Sequence, residues 1–300
     1  MIFLILSLLF FSLPASAGII FYSGFENGII QNDAVCTDCW DKTKRTCGLP
    51  WSLNAVNEGT IFNQYDDGVP APQAKAGSKM LRQEIREADT CSNVSFNHRN
   101  ELINTSIMKT GNEYWIGFSF YAPTTGHWPL PGVACSTHGY SNQTKLAPGT
   151  LSIVVTGESL NPRADGPYSP WSWWLGNALG KWAPQKYGQW QDFVYHMIFK
   201  QGTAGFVQVW VDGVSYGSKN SAAVLPSTFG TIPDGYKLDF RLSQYVAPTC
   251  AEEKVLINYF DEVRIGDANS SYAQVDPSGG APPPPPQGTV PVKPVNLQVQ

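Results

Sequence analysis

The residues best suited to chemistry are few. Asn97 to Leu102 reads NHRNEL and sets Arg99 and Glu101 two residues apart. On a strand, residues i and i+2 share a face, whereas neighbours such as His98 and Arg99 point to opposite faces. An Arg and a Glu on one strand face are costly to bury unless paired. They form either a structural ion pair at the rim of a sheet or a surface that holds an anion. The planar guanidinium fork suits a carboxylate or a sulfate. A second stretch, YKLDFRLSQY, places Lys237, Asp239, Arg241, Ser243 and Tyr245 on one parity. Two cations and a phenol on one face fit an anionic ligand as readily as a solvated surface.

Only four histidines occur, His98, His127, His138 and His196. His138 lies in the polar segment ACSTHGYSNQ, two residues before Tyr140, where an imidazole can act as a base near neutral pH or simply sit at the surface. His196, inside FVYHMIF, reads as structural, and His127 as a loop residue. SPWSWWLGNALGKW brings Trp171, Trp173, Trp174 and Trp182 close together. An exposed Trp stacks on a pyranose ring and a buried one is core; Trp174 is the sugar-stacking candidate. GVSYG at 213–217 spells G-x-S-x-G but lies in a strand-like hairpin stretch, not at the strand-to-helix turn of a nucleophile elbow. H-E-x-x-H, a Walker loop and a dinucleotide fingerprint are missing. So is the E-x-D-x-x-E strand that would supply the paired carboxylates of a retaining jelly-roll glucanase.

These residues need strands to position them, and strand-like segments dominate. GIIFYSGF, EYWIGFSFYA, GTLSIVVTG, QWQDFVYHMIFK, GFVQVWVDGVSYG, GYKLDFRLSQY and KVLINYFDEVRIGD alternate or run apolar over strand lengths. Asp212-Gly213 between two β-rich runs predicts a tight hairpin. Frequent Gly and Pro between segments fit a turn-rich all-β fold. The pattern predicts a concanavalin-like β-jelly-roll sandwich of two antiparallel sheets.

Of the 300 residues, the first 17 read as a signal peptide: an apolar run from Ile2 to Leu13, then Ala15-Ser16-Ala17. This predicts a secreted or periplasmic protein, with no membrane span in the mature chain. A single domain is expected over 18–272. A Pro-rich linker or disordered tail is expected over 273–300, where DPSGGAPPPPPQGTVPVKP marks a shift in composition. The six cysteines, Cys36, Cys39, Cys47, Cys91, Cys135 and Cys250, suit disulfides in an oxidising compartment; their spacing does not define the pairing. A net charge of -4 argues against nucleic acid as a partner, yet leaves room for a local basic cleft.

The order of motifs resembles the heparin lyase I-like polysaccharide lyases, which include glucuronan lyases. It rests on GFENG, the R-x-E-L strand, EYWIGFSFYAP, the His-Gly segment, GQWQDFVYHMIF with GFVQVWVDG, and the YK strand. The resemblance implies a substrate groove across one sheet and eliminative cleavage of uronic-acid polysaccharides. By motif, Arg99 resembles the family's groove Arg, His138 its catalytic His and Lys237 its groove Lys. Where the family reads K-x-G-x-Y, this chain has Lys237-Leu238-Asp239-Phe240-Arg241. Arg241 thus takes the expected Tyr position, and Tyr245 lies ~13 Å further along the strand on the same face. ACSTHG also lacks the Gln often found before that His.

The expectation is therefore a monomeric lyase acting on an anionic polysaccharide. Arg99 would neutralise the carboxylate, His138 would be the base, and Tyr245 or Tyr140 the acid. Glu101, Lys237, Arg241 and Trp174 would bind substrate. No cofactor is required; calcium is allowed, although no ligand spacing demands it. The alternatives are a non-catalytic concanavalin-type carbohydrate-binding protein, favoured by the displaced Tyr, and a glycoside hydrolase with an unrecognised carboxylate pair.

Overall fold

A computed structural model describes residues 18–25, 45–46, 52–53, 72–86, 98–124, 146–147, 150–153, 161–163, 172–175, 178–225, 231–246 and 255–279. In some strands, including 98–106 and 243–246, only the backbone is described. The segments 1–17 and 280–300 and all six cysteines lie outside these residues, as do His127, His138 and Tyr140.

The fold is an all-β jelly-roll sandwich. Its larger sheet has seven strands: β1 (Ile19–Ser23), β4 (Leu81–Arg86), β6 (Glu113–Tyr121), β12 (Trp190–Ile198), β13 (Phe206–Val211), β14 (Val214–Asn220) and β16 (Val255–Gly266). They run β1-β16-β6-β12-β13-β14, with β4 also paired to β16. The facing sheet runs β2-β3-β5-β15-β8-β7, made of β2 (Arg45–Thr46), β3 (Ser52–Leu53), β5 (His98–Lys109), β15 (Lys237–Val246), β8 (Thr150–Ile153) and β7 (Leu146–Ala147). All its pairings are antiparallel except β15 with β8. A small third sheet, in the order β11-β10-β9, joins β9 (Asn161–Arg163), β10 (Ser172–Trp174) and β11 (Trp182–Pro184).

Alternation builds the core. Ile116, Phe118 and Phe120 of β6, Phe193 and Tyr195 of β12, and Val207, Val209 and Val211 of β13 turn inward. They meet Leu238, Phe240 and Leu242 of β15 and Met108 of β5 in one cluster. Each such side chain contributes ~1.5–3 kcal/mol on burial. Phe118 stacks on Phe193 with ring centroids 5.3 Å apart, and Phe260 meets Phe120 edge-on at 5.2 Å. The β13–β14 hairpin turns on Asp212 (φ 49°) and Gly213 (φ 76°). Two successive positive φ values are what a type I′ turn needs, as the Asp-Gly pair predicts.

β16 carries a bulge between Asp261 and Arg264, with Glu262 at φ 52°. The extra residue changes the phase of the strand. Phe260 faces the core before the bulge, and Val263 and Ile265 face it afterwards. Beyond β16 the chain turns back over the sheet as the short helix α1 (Tyr272–Val275). Val275 is fully buried, and the carbonyls of Asp276 and Gly279 accept hydrogen bonds from Arg264 Nη1 at 2.6 and 3.0 Å. Residues 273–279 therefore pack against the sandwich, where composition alone would start the linker. The composition shift is real, but a buried guanidinium needs acceptors and these residues supply them.

Candidate functional site

The sheet face that carries the sequence candidates is defined by what turns the other way. Leu238, Phe240 and Leu242 of β15 are all 0% exposed and belong to the core. Strand alternation then puts positions 237, 239, 241, 243 and 245 on the face turned away from the core. The register with β5 extends this face. Tyr245 stands opposite Arg99, Ser243 opposite Glu101, and Arg241 opposite Ile103. Cross-strand partners share a face, so five of these six positions gather polar or charged residue types on two adjacent strands. His98 pairs with Val246 on the other parity, as expected from its place next to Arg99. Asp239 stands opposite Ser152 of β8 on the same face.

The remaining candidates fall elsewhere. Lys237, at the start of β15, is exposed and pairs with Lys109 at the end of β5. Trp174 is on β10 in the small third sheet, opposite Trp182 and Asn161, so its strand is not part of the β5–β15 pair. Lys109 had no signal in the sequence. It becomes a candidate only through its cross-strand partner, which local periodicity does not reveal.

The opposite outer face, on the seven-stranded sheet, is also polar, and there a group of carboxylates is held by the fold. Asp192 Oδ1 accepts from Ser119 Oγ at 2.6 Å, and its Oδ2 pairs with Lys75 Nζ at 2.7 Å. Asp261 Oδ2 accepts the backbone N–H groups of Lys75 and Ala76 at 2.9 and 3.2 Å, and Oδ1 accepts that of Glu262 at 2.8 Å. Burial nevertheless pushes the Asp261 carboxyl up to about 7, against those hydrogen bonds. This cluster ties residues 75–76 to the sheet. Beside it, Arg264 Nη2 bonds Glu262 Oε2 at 2.5 Å, and Tyr22 Oη donates to Glu262 Oε1 at 2.7 Å. Burial and the neighbouring carboxylate hold the Tyr22 phenol far above its usual range. His196 stacks on Trp115 at 4.0 Å and its Nε2 meets Glu113 Oε1 at 2.7 Å, the structural role its strand position suggests. Among the described residues no group of three His, Cys, Asp or Glu could hold a metal ion. No described helix is long and apolar enough to cross a membrane.

A family model described as polysaccharide lyase matches residues 51–264. No curated protein sequence matches the chain. Among solved structures, an endo-β-1,4-glucuronan lyase from the fungus Trichoderma reesei is 15% identical, covering 86% of this chain and 98% of its own, with a TM-score of 0.49. An alginate lyase, vAL-1, from a Chlorella virus is 11% identical over 72% of this chain and 93% of its own, at a TM-score of 0.36. The catalytic domain of a glycoside hydrolase family 131 protein from Coprinopsis cinerea is 15% identical over 62% and 69%, at 0.38.

Proposed function

Because the chain belongs to the polysaccharide lyase family, we propose that it is exported and cleaves a uronic-acid-containing anionic polysaccharide by β-elimination. The observation that carries this reading is the β5–β15 register, which sets the Arg99 position opposite that of Tyr245 on the face turned from the core. The Tyr displaced along the strand is thus the one that stands across from the groove Arg.

The chemistry assigns each residue a part. Arg99 neutralises the uronate carboxylate, so that negative charge arising beside it on proton removal is stabilised. His138 takes the C5 proton. The C5–H electron pair becomes the C4–C5 double bond as the C4–O bond breaks. Tyr245, or Tyr140 next to His138, protonates the departing glycosidic oxygen. No water is consumed, and the new non-reducing end is an unsaturated uronate. Glu101 and Arg241 hold neighbouring sugar units, and Lys237 binds the polymer further along the same face. Trp174, on a strand outside this pair, is a stacking residue only for a polymer that reaches the small third sheet.

The test is to incubate the protein with glucuronan, alginate, heparin, heparan sulfate and hyaluronan and follow the ultraviolet absorbance of the unsaturated end. A rise on one polymer names its substrate class. His138→Ala should lower that rate by about 10²–10⁴-fold, the span of general acid–base contributions. Full activity in this variant would remove His138 from the mechanism.

A further inference from the structure

One pair of cations joins Lys237, which the sequence motifs single out, to Lys109, which they do not. Lys109 closes β5 and Lys237 opens β15, and they are direct cross-strand partners. Both are exposed. Met108 and Leu238 beside them are 0% exposed in the core, so the two lysines lie on the face turned away from it. That is also the face of the Arg99, Glu101, Arg241, Ser243 and Tyr245 positions.

An irregularity in the strand pair creates this juxtaposition. Phe240 stands opposite Asn104, but Leu238 stands opposite Met108. With unbroken register, Ile107 would face Lys237. Two extra residues of β5 put Lys109 there instead. Like charges directly opposite on antiparallel strands destabilise a sheet. No ion pair among the described residues offsets them. Asp234, whose carboxyl lies against Gly111 in the adjoining turn, pairs with neither lysine. The fold has therefore set two exposed lysines opposite each other, with no ion pair to either among the described residues, on a protein of net charge -4. From Tyr245 to Lys237 is eight residue steps, or ~26 Å at ~3.3 Å per residue, which is several pyranose rings.

We propose that Lys109 and Lys237 form a distal subsite, which takes the acidic group of a sugar unit several residues along the polymer from the bond that is cleaved. This rests on the lyase reading above. The acidic group is a carboxylate or a sulfate, and two ammonium groups recognise either as point charges.

Lys109→Gln and Lys109→Arg test it against long unsulfated uronate polymers (glucuronan and alginate), heparin, and a uronate oligomer too short to span the face. The Gln variant should raise KM on a long polymer about three- to fivefold, with kcat within about twofold, as befits a solvent-exposed charge contact. The Arg variant should restore KM, added salt should shrink the difference, and the short oligomer should show none. An effect on the unsulfated polymers assigns a carboxylate; one confined to heparin assigns a sulfate. Unchanged KM on every long polymer overturns the subsite. If the wild-type protein releases no unsaturated ends yet is retarded by an acidic polymer in an affinity gel, the lyase reading falls separately. Weaker retardation of Lys109→Gln in that gel then upholds the lysine pair, and equal retardation overturns it. Neither cleavage nor retardation overturns both.

Discussion

Asp261 shows how one side chain can be held by the fold and still resist ionisation. It is completely buried, and three backbone N–H groups point at its two oxygens. Those donors favour the carboxylate, but desolvation outweighs them and lifts the group from 3.8 to about 7. The native state therefore keeps a proton that the unfolded state has lost between about pH 4 and pH 7. The stability this proton contributes is full below about pH 4 and gone above about pH 7. Thermal melts of wild type and Asp261→Asn across pH 4 to 8 should show it. The wild type should lose stability relative to the variant as pH rises, and parallel curves would refute the assignment. Asp192 has a different environment, with the Lys75 ammonium at 2.7 Å, so two carboxyls close together on one face play different roles.

At the scale of elements, the central strands of the seven-stranded sheet are covered on their outer face by what lies on them. α1 packs over Gly117 of β6, where a Cβ would meet the Val275 carbonyl oxygen at 1.8 Å. No side chain fits between helix and strand. Gly117→Ala should thus displace α1 and destabilise the protein by about 1–3 kcal/mol, the usual cost of overpacking. A denaturant titration would measure it, and a change within ~0.5 kcal/mol would show that α1 yields freely. The Asp212-Gly213 turn is the opposite case, a local signal that needed no tertiary help. β12 and β6 are buried along nearly their whole length, not on alternate residues. α1 and the segment around Lys75 cover what an exposed sheet face would leave wet.

The whole molecule divides its labour between two outer faces. One is covered over its central strands by residues 75–76, α1 and the Arg264–Glu262–Tyr22 chain. The other carries the candidate groove. The covered face depends on the last described residues. Arg264 is 2% exposed, and two of its acceptors are carbonyls of Asp276 and Gly279. A chain ended after Ser271 strips both from a buried cation and also removes Val275 from its pocket. Hydrogen bonds to charged groups contribute ~1.5–3 kcal/mol each, so such a truncation should cost at least ~3 kcal/mol or abolish folding. A midpoint equal to that of the full chain would show that the C-terminal turn is an ornament of the sheet and not part of it.

Much of this was legible in the residues because it is local. Alternation in EYWIGFSFY and FVQVWV marks strands with one face inward, and Asp-Gly marks the hairpin. The parity of Lys237, Asp239, Arg241, Ser243 and Tyr245 follows from the two-residue repeat of any strand, whatever surrounds it. The apolar parity of Leu238, Phe240 and Leu242 marks the side that the core covers. Register was not legible. That Tyr245 stands across from Arg99, and that Lys109 meets Lys237, depends on pairing between strands more than a hundred residues apart in sequence and on the irregularity after Asn104. The role of residues 273–279 was hidden for the same reason. Their composition reads as linker, and only the buried guanidinium of Arg264, placed by a bulge in β16, turns their carbonyls into part of the fold.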